Sequence, residues 1–87
     1  MEKRIGSVLI LVREKSAAYS LNSTISKFSN LIIGRQGLPA KASGYGIISL
    51  LLEGSTDEIG ALTGQLGRIE GISLKSVVLK IKENNPV

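Results

Sequence analysis

The chain predicts an α+β fold, a ferredoxin-like βαββαβ sandwich in which a four-stranded antiparallel sheet carries two helices on one face. Three observations predict it. Segments with strand and helix patterning follow one another as strand, helix, strand, strand, helix, strand. Two apolar stripes spaced three, four, three residues apart mark the helices. The most continuously apolar strands are the first and third, the two that this topology places at the centre of the sheet.

The first strand is expected over Arg4 to Arg13, where IGSVLILV is aliphatic and β-branched and runs into charge. Ser16 is the expected cap of the first helix, whose apolar stripe is Ala18, Leu21, Ile25 and Phe28. The other face of that helix is Ser, Thr, Asn and Lys, so it depends on packing rather than on intrinsic propensity. Leu31 to Arg35 and Gly46 to Glu53 are the next strands. Gln36 to Tyr45, with Gly37, Pro39 and Gly44, forms the hairpin tip between them.

Ser55-Thr56-Asp57-Glu58 is a capping box that opens the second helix, with Asp57 and Glu58 at the positive end of its dipole. Ile59, Leu62, Leu66 and Ile69 form its stripe. Gly60, Gly64 and Gly67 interrupt it at about 1 kcal/mol each, and predict close approach of another backbone, from the sheet or a neighbouring subunit. Gly71 supplies a turn, and Ile72 to Lys82 form an edge strand carrying Lys75, Lys80 and Lys82. Residues 1–82 are read as one domain and 83–87 as a frayed tail.

With 87 residues there is room for a single domain of marginal stability, which makes oligomerisation an expectation before any motif is considered. The central strands reinforce it. Val8, Ile10 and Val12 alternate with Leu9 and Leu11, and Ile48, Leu50 and Leu52 alternate with Ile47 and Leu51, so both faces of the sheet are apolar. One set faces the helices; the other would face water in a monomer. We assign Leu9, Leu11, Ile47 and Leu51 to an oligomer interface, in a dimer or a tetramer.

Cysteine and histidine are both absent, which removes disulfides, thiolate nucleophiles, iron–sulfur and haem ligation, and the usual zinc, copper and nickel ligands. No metal site and no cofactor is expected. Capping explains Asp57 and Glu58 without catalysis, and no serine sits in a nucleophile-elbow setting, so no catalytic residues are expected. The net charge of +4 is spread along the chain, and the central strands carry no aromatic ring on which a base could stack. Direct nucleic-acid binding is therefore not expected. The apolar runs Val8 to Val12 and Leu50 to Leu52 are too short to cross a bilayer, and the cytoplasm is the expected location. Arg35, Gly37 and Lys41, in and beside the glycine-containing hairpin tip, are the expected site for a small anionic effector.

Thr56 to Gly67 (TDEIGALTGQLG), Gly71 to Ser76 (GISLKS), and Ile33 to Pro39 (IGRQGLP) followed by Gly46-Ile47-Ile48 together resemble the regulators of the iron-only hydrogenase system. These are small stand-alone ACT-like domains, and the resemblance runs from about Lys3 to Lys80. It implies a ferredoxin-like fold related to the regulatory domain of the nickel-responsive repressor, assembled into oligomers. Nickel-repressor domains bind metal through His and Cys, which this chain lacks, so metal sensing is not carried over. The turn after the first strand reads Arg13-Glu14-Lys15-Ser16, where amino-acid-binding ACT domains often carry a glycine-rich turn. The expected role is a non-catalytic, homo-oligomeric regulatory or ligand-sensing module acting through a partner, an effector or assembly. The alternative is a structural subunit that binds only protein partners.

Overall fold

A computed structural model describes residues 3–39 and 44–81. Strand β1 (Arg4–Val12) leads through a 3₁₀ turn at Lys15–Ala17 into helix α1 (Ala18–Lys27). A second 3₁₀ turn at Ser29–Leu31 precedes β2 (Ile32–Leu38), which pairs with β3 (Gly46–Gly54). Helix α2 (Thr56–Leu66) and β4 (Ile72–Lys80) complete the order. The four strands are antiparallel in the order β2-β3-β1-β4, so β1 and β3 are central and β2 and β4 form the edges, as the sequence predicts.

The register sorts the side chains onto two faces. Val8 pairs with Leu50 and Ser76, and Ile10 with Ile48 and Leu74. Val8, Ile10, Leu50 and Leu52 are fully buried against Leu21, Ile25, Leu31, Ile59, Leu62 and Leu66. Each such aliphatic side chain contributes about 1.5–3 kcal/mol by leaving water, which is what holds two short helices on the sheet. The α2 stripe is the expected one, with Ile69 half-buried at its end.

The capping box at α2 forms in full. Glu58 N–H donates to Ser55 Oγ at 3.1 Å, and Ser55 N–H donates to Glu58 Oε1 at 2.8 Å. Two of the helix's otherwise unpaired donors are thereby satisfied. Gly71 turns the chain into β4 with φ +89, and its carbonyl accepts from Arg13 N–H at 2.7 Å and Glu14 N–H at 3.1 Å.

Several expectations are corrected. Ser16 caps nothing: it lies inside the 3₁₀ turn, and neither that turn nor α1 has a side-chain cap. The turn rotates the helix entry, so Ala17 rather than Ala18 is buried. Thr24 joins the α1 stripe, because its hydroxyl donates to Ser20 O at 2.9 Å and needs no water. Leu31 belongs to a 3₁₀ turn, and β2 extends through Gln36, Gly37 and Leu38, shortening the hairpin tip. The close approach expected at the α2 glycines is not made by the described residues. A Cβ at Gly60 or Gly64 would meet nothing within 4 Å, and one at Gly67 only carbonyl oxygens of its own helix end. Strand β4 stops at Lys80; Lys82 and the tail at 83–87 lie outside the described residues.

Candidate functional site

The face of the sheet opposite the helices carries aliphatic side chains from all four strands, with Ser7, Gln36, Ser49 and Ser73 among them. Direct cross-strand partners share a face, so the register places Ile5, Leu9 and Leu11 of β1 there with Ile47 and Leu51 of β3, Val77 and Leu79 of β4, and Leu38 of β2. Leu9 is 53% exposed, and Leu38, Leu51, Val77 and Leu79 are exposed to a similar or greater degree. Leu11 and Ile47 are half-buried by their neighbours. All four residues assigned to an interface from the sequence therefore lie on this open face. Ile5, Leu38, Val77 and Leu79 extend it. Ile5 follows from the alternation of β1, whereas the three on edge strands were legible only through strand register.

Polar groups rim this surface. At one end the Arg13 guanidinium lies 5.1 Å from the Tyr45 ring centroid and its Nε donates to Ser73 Oγ at 2.7 Å. Glu53, opposite Ile5, and Lys75, opposite Leu9, supply charges of both signs on the same face.

Arg35 stands on the other side. Strand β2 carries a bulge: Ile32 opposes Leu52, Gly34 opposes Leu51, and Ile33 is the extra residue between them. The insertion reverses the alternation, so that Arg35 opposes Leu50 on the helix side. There its Nη2 donates to Asn22 Oδ1 of α1 at 3.0 Å. Gly37 lies two residues further along the same edge and is exposed. Lys41 lies outside the described residues.

Two grooves lined by described residues open on the helix side. One, of about 360 Å³, runs between α2 and β4 and is lined by Arg4, Thr56, Ile59, Gly60, Thr63, Ser76 and Val78. Arg4 Nε donates to Thr56 Oγ1 at 3.0 Å, which fixes the guanidinium beside the first turn of α2. The other, of about 390 Å³, lies between the end of α1 and the start of α2, with Lys27, Phe28, Asn30, Leu31, Asp57, Glu58 and Ala61 around it. Arg35 and Gly37 line neither. Nothing in the sequence pattern marked the first groove, because its residues come from three separated elements. Among the described residues no three carboxylates come together as a metal site would need, and no helix is long and apolar enough to cross a membrane.

A four-stranded sheet in this order, with two helices on one face, defines a small ACT-like domain of the ferredoxin-like fold. The ACT domain of GTP pyrophosphokinase from Chlorobium tepidum superposes with a TM-score of 0.67 at 16% identity, covering 88% of this chain and 100% of that one. The C-terminal domain of the MgtC protein from Mycobacterium tuberculosis gives 0.63 at 12% identity, covering 94% and 92%. At these identities the likeness is one of fold. Protein TM1266 from Thermotoga maritima is nearer, with a TM-score of 0.82 and 36% identity over 93% of this chain and 100% of that one. The family model of TM1266-like proteins, described as "Iron-only hydrogenase system regulator, putative", matches residues 4–76. The chain belongs to this family. No curated protein matches it.

Proposed function

We propose that the chain is a non-catalytic regulatory module of an iron-only hydrogenase system that works as a homo-oligomer, with its open sheet face mated to a second copy. The observation that carries this reading is the apolar surface spread over all four strands, with exposed leucine and valine side chains on central and edge strands alike. Soluble monomers seldom leave such a surface in water. A two-fold axis through the sheet brings the same patch onto itself, and the polar rim suits such a pairing, since Glu53 and Lys75 offer both charges from each copy. Family membership supports the regulatory half of the proposal.

Native mass spectrometry over a range of protein concentrations tests it. A dimer or tetramer that persists on dilution is the expected result, and any retained small-molecule mass would identify an effector. A monomer at every concentration would overturn the assembly reading.

A further inference from the structure

We infer that the outer edge of β4 is a second self-association surface. There a second copy of the chain adds its own β4 antiparallel, and the two four-stranded sheets join into one of eight strands. This goes beyond the sheet-face pairing proposed above. It uses a different two-fold axis, perpendicular to the sheet, so either contact can form without the other. From Lys75 to Lys80 every residue of β4 is exposed. Val77 and Leu79 are each 63% exposed on the open face, and Val78 is 45% exposed on the helix side, beside a groove rather than under α2. An edge strand of a monomer ordinarily carries protection against strand addition. Strand β2, the other edge, has it in the bulge at Ile33, in Gly34 and Gly37 and in the Arg35 guanidinium. Strand β4 runs regular. It pairs with β1 from Ile72 to Lys80 without a register shift, and among the described residues no strand takes up its outer side.

The sequence of the strand points to its own copy as the occupant. Directly opposed residues of antiparallel strands share a face, and an axis perpendicular to the sheet keeps each face on its own side. Only residues an even number of places apart can therefore be opposed. Centred on Val78, the pairing sets Val78 against its own copy on the helix side and Val77 against Leu79 on the open face, twice by symmetry. Lys80 then faces Ser76, and Lys75 falls opposite Ile81, past the end of β4. Other centres waste these contacts. On Val77, Leu79 would face Lys75; on Leu79, Val78 would face Lys80; on Ser76, Val77 would face Lys75. The register on Val78 gathers the three exposed aliphatic side chains of the edge, and the strand that matches them is another β4.

The chain has no cysteine, so a single introduced one reports which residue lies against its own copy. Under mild oxidation the full chain with Val78→Cys should form a disulfide-linked dimer at least tenfold faster than chains with Ser76→Cys or with Tyr19→Cys on the outer side of α1. Equal rates for Val78→Cys and Ser76→Cys, or no covalent dimer from Val78→Cys, would overturn the proposal. Mass in solution separates this contact from the sheet face, because Val78 lies on the helix side and Leu9 on the open one. Leu9→Lys disables the face and should leave the edge-paired dimer. Val78→Lys sets two like charges against each other at the edge and should leave the face-paired dimer. Both substitutions together should give a monomer. A monomer from Leu9→Lys alone would overturn the edge pairing and leave the face reading standing. A wild-type mass kept by Leu9→Lys but lost by Val78→Lys would support the edge and overturn the face reading. If Val78→Lys does not fold, the cysteine arm decides.

Discussion

Gly54 and Leu31 meet where β3 hands the chain to α2: a Cβ on Gly54 would stand 2.9 Å from Leu31 Cδ2. The same Cβ would lie 3.1 Å from Glu58 Oε1, the oxygen that closes the capping box. Leu31 is buried in the core and Glu58 is tied to Ser55, so neither neighbour yields freely. Gly54→Ala is therefore expected to destabilise the fold by about 1–3 kcal/mol, as overpacking of a tight site does. Urea denaturation measures it. A midpoint equal to wild type would mean that Leu31 swings aside without cost.

The capping box itself predicts a second loss. Ser55→Ala removes the acceptor of Glu58 N–H and should cost about 1 kcal/mol, the usual worth of an N-cap hydroxyl. Amide exchange at Glu58 should accelerate in the variant more than exchange at the middle of α2. Equal acceleration along the helix would show that α2 opens only with the whole domain.

Glycines further along α2 predict the opposite sign. Nothing lies within 4 Å of a Cβ at Gly60 or Gly64, and neither has a positive φ. Alanine at either position should stabilise the chain by about 0.4–1 kcal/mol through helix propensity and a less flexible unfolded state. A falling melting temperature for Gly64→Ala would place another subunit against this helix face, since the chain itself leaves the space open.

These contrasts show how much was legible in the sequence and where legibility stopped. The α2 cap and stripe, the strand order and the two apolar faces of β1 and β3 follow from local periodicity, which the tertiary structure preserves. The start of α1 does not. Its 3₁₀ turn moves burial from Ala18 to Ala17, and no local pattern separates two adjacent alanines. Thr24 escapes a polar–apolar reading because its hydroxyl is satisfied by its own helix. The bulge at Ile33 escapes because one extra residue leaves composition unchanged while reversing which face Arg35 occupies. The groove between α2 and β4 joins Arg4 to Ser76 across the length of the chain, and only the folded register brings them together.

The sheet face offers the strongest test of assembly, because a substitution there separates folding from association. Leu9 and Leu51 are 53% and 48% exposed in the single chain, so Leu9→Lys or Leu51→Lys should leave the stability of the domain within about 0.5 kcal/mol. In a face-to-face dimer the same lysine is buried without a partner, and a two-fold axis introduces it twice. An unpaired buried charge costs several kcal/mol, so association should weaken by a factor of at least ~100. Light scattering coupled to size-exclusion chromatography should show either variant shifting toward monomer while its far-UV spectrum stays that of the wild type. Tyr19→Lys, on the outer side of α1 at 84% exposure, is the control and should leave the mass unchanged. An oligomer that survives both leucine variants but not the control would move the interface from the sheet to the helices.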